Sequence, residues 1–205
     1  LKSSFDIHQI FATAEWISFG HLPKNRYLVD VVEITQAELE KISALTTANQ
    51  VLALVKLPSL IHLPMATGEW TLLLDQIRDP GNLGTIIRTA DWFGIDRIIA
   101  AENSVDLWNP KVIQASMGSV FRIPVHYTDI HKYLSTNAQQ VKVFGTMLDG
   151  EDISSVKLGT EGIVVIGNES HGISDAVKPF IDQRITIPAA TAGFHGRAES
   201  LNASI

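Results

Sequence analysis

From Trp70 onwards the sequence repeats one pattern, a short apolar strand followed by a turn and a helix. This repetition constrains the fold more than any other feature. Several strands are uninterrupted apolar runs, such as 72–74 and 163–166, which is typical of strands covered by helices on both faces of a parallel sheet. Glycines follow the predicted strands at Gly81, Gly84, Gly150, Gly167 and Gly172. The pattern predicts an open parallel α/β sheet that binds its ligand at the carboxyl ends of the strands.

The predicted strands of this sheet are 71–76, 97–101, 121–125, 142–146, 163–166 and 184–187, and the predicted helices are 83–93, 110–117, 130–136 and 174–180. The earlier part of the chain differs. It has a helical period over 7–17, strand-like runs at 27–34 and 51–56, and a helix at 36–42 that a Thr35–Glu38 capping box begins. A Pro- and Gly-containing linker over 57–68 separates the two parts. We therefore expect a small α/β domain at 1–66 and a larger domain at 67–205.

The amino-acid composition excludes several kinds of functional site. The 205 residues contain no cysteine, which excludes disulfides, zinc–thiolate sites and thiol nucleophiles from this sequence. No apolar run approaches ~18 residues and the first residues lack a signal-peptide pattern, so we expect a cytoplasmic protein with no membrane partner. The net charge of −6 disfavours a nucleic-acid partner over the surface as a whole, although a local cationic patch can oppose it.

The first segment that carries chemistry is 75–90. Its Asp79-Pro80-Gly81 turn is followed by Asn82, a favoured N-cap, and Arg88 lies about two turns into the helix. A structural interpretation remains open, in which Asn82 only caps the helix and Arg88 only faces solvent. The segment contains neither G-x-G-x-x-G nor G-K-[ST], which disfavours an enzyme that binds a nucleotide by either motif.

Two further segments follow later strands. In 163–174 a buried strand ends in a loop with Glu169 and His171 between two glycines, and these glycines allow a close approach of the backbone to a ligand. The third segment runs from Ile187-Pro188 to Ser200-Leu201-Asn202, and its small polar side chains either cap a last helix or surround a polar substrate.

Together the three segments resemble the SpoU (TrmH) family of RNA ribose 2′-O-methyltransferases within the SPOUT superfamily. The family's N-x-G-x-x-x-R motif matches Asn82, Gly84 and Arg88, and its G-x-E-x-x-G motif matches Gly167, Glu169 and Gly172. Its third motif matches Ile187-Pro188 and Ser200-Leu201-Asn202. The resemblance covers 70–205, and the small domain resembles the L30e-like RNA-binding domain that is common in the family.

The resemblance implies a carboxyl-terminal trefoil knot, a homodimer, S-adenosylmethionine as the cofactor, and no metal. The implied cofactor-binding residues are Thr146, Leu148, Gly150, Gly167, Ile187 and Leu201. The implied substrate is a ribose 2′-hydroxyl in tRNA or rRNA. The alternatives are a non-catalytic RNA-binding or ribosome-assembly factor that retains the fold, and a small-molecule enzyme on a doubly wound sheet.

The implied catalytic residues are Arg88, Asn82, Glu169, Ser200 and Asn202. Arginine stays protonated, so we expect Arg88 to bind the adjacent phosphate and stabilise oxyanion charge, while the other four orient Arg88 and the ribose. His171 lies outside the motif and is expected to be a loop residue. The other cations that could face RNA are Lys24, Arg26, Arg78, Lys111, Arg122 and Arg197.

The sequence departs from the family pattern in three respects, the first of which is an acidic balance that offers no global basic field. Residues 191–196 look like an insertion between Pro188 and Ser200. The chain stops at Ile205, where the family continues into a helix. Its first residue, Leu1, is not a methionine. We therefore expect a piece of a longer protein, with a truncated small domain and without the last helix.

Overall fold

The computed structural model describes residues 5–20, 29–58, 68–189 and 202–203. The chain divides into two compact units, Leu1–Ile61 and His62–Ile205. Their division falls within the predicted linker, of which 59–67 lie outside the described residues. In the described parts of both units, no helix is long and apolar enough to cross a membrane.

The first unit contains a mixed three-stranded sheet in the order β2-β1-β3. Strand β1 (Ile7–Ala12) pairs in parallel with β2 (Asp30–Glu33) and antiparallel with β3 (Val51–Val55). The helices are α1 (Ala14–Ser18) and α2 (Gln36–Ile42). The predicted capping box of α2 is present.

The predicted helical period over 7–17 is wrong for its first half, which is strand β1. Ile7, Ile10, Phe11 and Ala14 satisfy a helical spacing, but Ile10 and Ala12 are buried in alternation, as in a strand with one covered face. Pairing with two distant strands decides the conformation. Local periodicity cannot reveal such pairing.

The second unit is a six-stranded sheet in the order β6-β5-β4-β8-β7-β9, and every pairing in it is parallel. The strands are β4 (Trp70–Leu74), β5 (Arg97–Ala101), β6 (Val125–Thr128), β7 (Val143–Asp152), β8 (Gly162–Ile166) and β9 (Gln183–Thr186). The helices are α3 (Pro80–Phe93), α4 (Pro110–Ala115) and α5 (Ile130–Asn137). The predicted parallel α/β sheet is confirmed.

Both faces of the sheet are covered. Leu74 packs in a cluster with Leu83, Ile87 and Val112 of α3 and α4, whereas Leu73 packs with Leu134 of α5 on the other face. From β4 the chain adds β5 and then β6 on one side of the sheet. It then crosses to the opposite side of β4, where it forms β7 and afterwards β8, which pairs directly with β4. The strand order therefore reverses between β4 and β8, where open α/β sheets bind ligands.

Two predicted elements of this unit are wrong. Residues 119–121 form a 3₁₀ turn, and β6 begins at Val125, directly after Pro124, which has no N–H for the ladder. The predicted helix 174–180 is only a turn with a 3₁₀ segment at Lys178–Phe180. Pro179 within that segment disfavours a helical conformation of the preceding residue and removes one donor.

Helices α3 and α4 pack closely because residue 84 is a glycine. A Cβ at Gly84 would lie 2.5 Å from the Cβ of Ala115 and 2.7 Å from the carbonyl oxygen of Val112. Contacts this short do not occur between real Cβ atoms and backbone. The motif glycine at 84 therefore sets the distance between two helices.

Replacing Gly84 by alanine should destabilise this unit by about 1–3 kcal/mol, because the added methyl group has no space between α3 and α4. The free energy of unfolding in urea would show the loss. The exposed neighbour Thr85 provides the control, since Thr85→Ala should change the same quantity by less than about 0.5 kcal/mol. Equal stability of Gly84→Ala and the natural protein would contradict this account of the packing.

Candidate active site

The side chains of Asn82 and Glu169 meet at the carboxyl edge of the sheet. The Nδ2 of Asn82 donates to the Oε1 of Glu169 at 2.9 Å, and the backbone N–H of Asp79 approaches the same oxygen at 3.4 Å. Asn82 is buried and Glu169 is exposed. Two motif residues that are 87 positions apart are thus in direct contact.

The predicted N-cap role of Asn82 is wrong. Helix α3 begins at Pro80, and its N-cap is Asp79, whose carboxylate accepts from the backbone N–H of Asn82 at 2.8 Å. Proline is favoured in the first turn because its missing N–H would have no partner there. The Asn82 side chain does not cap the helix and instead holds Glu169.

Two residues that the motifs do not mark join the loops after β4 and β8. Asn168 donates from Nδ2 to the carbonyl of Gln76 at 2.7 Å, and the buried carboxylate of Asp75 accepts from the N–H of Ser174 at 2.7 Å. The sequence contains a signal for Asp75, because this acidic residue directly follows an apolar strand. A carboxylate buried at such a position needs a hydrogen-bond partner, since burial without one is costly.

Arg88 lies on α3, six residues after Asn82 and therefore about 9 Å further along the helix axis. It is exposed, and it makes no side-chain hydrogen bond or ion pair with the described residues. Thr85 and Trp92 share its face of the helix. The guanidinium of Arg88 is free to meet a ligand from solvent.

Arg122, another predicted RNA-facing cation, is exposed but already paired with a carboxylate of the protein. Its guanidinium donates to the carboxylate of Asp91 at 2.6 and 2.9 Å. This hydrogen bonding lowers the pKa of Asp91 below its ordinary value, with a smaller contribution from Ser119. Asp91 therefore stays ionised and offsets the charge of Arg122 at neutral pH. Among the other candidates, Arg78 and Lys111 are exposed, while Lys24, Arg26 and Arg197 lie outside the described residues.

The predicted cofactor residues of β7 lie at a bulge, and Ile187 directly follows β9. Thr146 and Glu151 both pair with Ile185, so the four residues between them leave the ladder. Leu148 in this bulge is 78% exposed, and Ile187 after β9 is 54% exposed. Thr146 donates from its hydroxyl to the carbonyl of Val165 in β8 at 2.9 Å. Exposed apolar side chains at strand ends suit the apolar cover of a flat ring.

The two predicted cofactor glycines are packed against the protein's own backbone. A Cβ at Gly167 would lie 2.3 Å from the carbonyl carbon of Gly172, and one at Gly150 would lie 2.4 Å from that of Ile185. We expected Gly167 to allow the close approach of a ligand. The structure shows instead that it allows the close approach of the loop that returns at Gly172. Backbone groups of both loops are thereby held at the edge where a cofactor would bind.

Of the third motif, Ser200 and Leu201 lie outside the described residues, as does the predicted insertion at 191–196. Asn202 is exposed, and Ala203 packs against the cluster between the sheet and α3 and α4. His171 is exposed, and its backbone N–H donates to the Oδ1 of Asn168. Across the described ranges, no group of three or more His, Asp or Glu residues is placed to hold a metal ion.

Comparison with known proteins places this geometry in a family. A family model described as the SpoU rRNA Methylase family matches residues 69–205. The 23S rRNA (guanosine(2553)-2′-O)-methyltransferase RlmP of Bacillus subtilis is 34% identical over 155 residues, which are 73% of this chain and 60% of that protein. The chain spans 56–60% of the length of three such curated relatives.

Solved structures agree over a larger part of the chain. A putative RNA methyltransferase of the TrmH family from Porphyromonas gingivalis superposes with a TM-score of 0.83 at 35% identity, covering 98% of this chain and 79% of that one. An AdoMet-bound rRNA methyltransferase from Sinorhizobium meliloti gives a TM-score of 0.78 at 28% identity, covering 98% and 76%. With its parallel sheet, its joined Asn82 and Glu169 and the match over 69–205, the chain belongs to the SpoU rRNA methylase family.

Proposed function

We propose that this protein transfers a methyl group from S-adenosylmethionine to a ribose 2′-hydroxyl of RNA. The observation that carries the proposal is the 2.9 Å bond between Asn82 and Glu169 at the start of the helix that carries Arg88, which has no partner among the described residues. A protein that only bound RNA would have no need of this arrangement. Relatives named for 23S rRNA support rRNA ahead of tRNA as the substrate class.

The residues around β7, β8 and β9 fit S-adenosylmethionine. Leu148 and Ile187 offer exposed apolar surface for the faces of the adenine ring. The bulge that ends at Gly150 and the loop after Gly167 hold backbone donors and acceptors for its edge. Leu201 would add apolar cover by the family motif. The cofactor's sulfonium supplies an already activated methyl group. The task left to the protein is to place a ribose hydroxyl in line with that methyl group.

Arg88 binds the phosphate beside the target ribose and stabilises the negative charge that develops on the 2′-oxygen. A guanidinium suits this role because its planar donors match phosphate oxygens in pairs and it does not lose its proton. Asn82 and Glu169 fix the first turn of α3 on which Arg88 depends. Ser200 and Asn202 would complete the ribose site by the family motif.

A homodimer is the form in which we expect the site to be complete. The face of α3 that carries Arg88 also exposes Trp92, and Phe93 follows it, with 84% and 74% of their surfaces accessible. Two neighbouring aromatic residues this exposed mark an interaction surface. A second copy of this chain against that face would bury them beside Arg88.

We infer further that the carboxyl-terminal segment forms a trefoil knot and that residues 1–66 form an L30e-like RNA-binding domain. Strand β9 lies at the far edge of the sheet, three strands from β4, yet Ala203 packs against the cluster that contains Leu74. The position of Ala203 next to that cluster supports the knot. The mixed sheet β2-β1-β3 with its two short helices supports the second assignment.

The first test of the function is Arg88→Ala in the full-length protein. Methyl transfer from labelled S-adenosylmethionine to rRNA should fall about 100-fold or more, since an oxyanion-stabilising donor is lost. Calorimetry should show cofactor affinity within about threefold of the natural protein's, because Arg88 contacts the RNA.

Two variants control this experiment. Arg88→Lys keeps the charge without the planar donors and should retain an intermediate rate. Lys142→Gln removes one cation at the amino end of β7, the opposite edge of the sheet, and should leave the rate unchanged. If the natural protein binds no S-adenosylmethionine, the proposed function is refuted. If the rate of methyl transfer is unchanged in Arg88→Ala, the proposed role of Arg88 is refuted.

The Asn82–Glu169 contact should be measurable as a coupling energy. A double-mutant cycle with Asn82→Ala and Glu169→Ala should give about 1 kcal/mol in the free energy of unfolding, as expected for a partly exposed bond to a carboxylate. Thr136 on α5, at the other face of the sheet, provides a matched control, and Asn82→Ala with Thr136→Ala should be additive. Additivity of the Asn82 and Glu169 variants would mean that the bond does not hold the two loops together.

Dimerisation through α3 predicts that Trp92→Glu weakens self-association at least about tenfold, because a charge would be buried in an apolar contact. Analytical ultracentrifugation over a concentration series measures this. Leu57→Glu changes another exposed apolar residue, on the first unit, and should leave the association constant unchanged. A dimer of unaltered strength in Trp92→Glu would place the interface elsewhere.

A further inference from the structure

Asn168 occupies the junction between the loops after β4 and β8. Its Nδ2 donates to the carbonyl of Gln76 at 2.7 Å, while its Oδ1 accepts from the N–H groups of Ser170 and His171 at 2.9 and 3.2 Å. Its backbone exchanges two hydrogen bonds with Gly172. Only an amide offers a donor and an acceptor at these two places, and a rotated amide would direct its NH₂ group at two other donors.

The partner of that amide is in an unfavourable conformation. Gln76 has φ = 64°, a left-handed backbone that costs energy for any residue with a Cβ. Strained residues of this kind persist where the surrounding structure holds them. The amide of Asn168 is the side chain that bonds the Gln76 carbonyl. It therefore helps to keep the turn that leads to Asp79 and α3 in place.

Glu169 lies between two points at which its loop is fixed. Asn168 binds Gln76 on one side, and on the other the N–H of Ser174 donates to Asp75, whose side chain is 1% exposed. The Glu169 side chain itself is exposed. An exposed glutamate on a loop samples many rotamers, so its contact with Asn82 requires a fixed backbone.

We propose that Asn168 is a positioning residue, which clamps the loop after β8 to the strained turn at Gln76 and thereby holds the Glu169 carboxylate against Asn82. The clamp acts on the first turn of α3 and through it on Arg88. This inference deepens the proposed function and rests on it for its kinetic consequence. Its structural consequence is independent of catalysis.

The structural arm of the test measures the Asn82–Glu169 coupling in an Asn168→Ser background. The coupling should fall to a third or less of its value in the natural protein, because the loop no longer holds Glu169 in place. Asn168→Asp serves as a second background if the serine variant folds poorly, since it keeps the acceptor and loses only the donor to Gln76. A coupling that stays unchanged in either folded variant would overturn the proposal.

The kinetic arm compares kcat for methyl transfer with the dissociation constant of S-adenosylmethionine. Asn168→Asp should lower kcat at least tenfold and leave the dissociation constant within threefold. Adding Gln76→Gly should recover at least a third of the lost rate, because glycine adopts a positive φ without strain and the turn then needs no clamp. A residue that served only global stability would not be rescued in this way.

Ser170→Ala is the matched control, since Ser170 lies in the same loop and, among the described residues, contributes to the network by its backbone N–H and not by its side chain. It should change neither the coupling nor kcat. Failure of the rescue in a stably folded double variant would overturn the role of Gln76. If the natural protein transfers no methyl group, the proposed function fails, while the coupling arm still decides whether Asn168 clamps the loop.

Discussion

The parallel pairing of β4 with β8 is the constraint on which the rest of the candidate site depends. Leu74 lies opposite Ile166, and the ladder continues with the N–H of Asp75 donating to the Ile166 carbonyl at 2.9 Å. The two strands therefore end at the same level, and their loops leave side by side. A slip of one residue would turn every side chain of one strand to the other face and would separate Glu169 from Asn82. Apolar burial on both faces of β4 fixes this register.

Close backbone approach is the second physical theme. Gly84 admits α4, Gly150 admits the backbone of Ile185, and Gly167 admits the loop that returns at Gly172. Each of these glycines is required for packing within the protein itself, because a Cβ at its position would overlap neighbouring protein atoms. The proposed cofactor space lies instead at the bulge in β7, which leaves Leu148 exposed near the end of β9. Substitution at these glycines would therefore disturb the fold and the site together.

Sequence reasoning predicted those features that short-range patterns determine. The continuous apolar runs of β4 and β8 and the Thr35 capping box depend on adjacent residues, and the structure has them. It failed where a distant partner or a proline decides, as in β1, in the turn before Pro179 and in the cap of α3. The motifs identified Asn82 and Glu169, but not the bond between them, because that bond requires the pairing of two strands far apart in the chain.

Asn168 shows the same limit at the scale of one side chain. Its neighbours in the sequence are motif residues, yet its own role depends on a carbonyl 92 positions away. An asparagine between Gly167 and Glu169 carries no local mark of that partner. Asp75 differs, since a carboxylate next to an apolar strand must find a donor when it is buried, and Ser174 supplies one. Burial alone, inferred from the strand, would have pointed to it.

The ion pairs show how the net charge of −6 bears on RNA binding. Arg122 is offset by Asp91, whose lowered pKa keeps that pair charged and intact well below neutral pH. Arg88 has no such carboxylate among the described residues. A chain with this net negative charge does not attract RNA by a broad positive field. Under the proposed function, recognition depends on the shape of a folded RNA, and Arg88 would supply positive charge beside the reacting ribose.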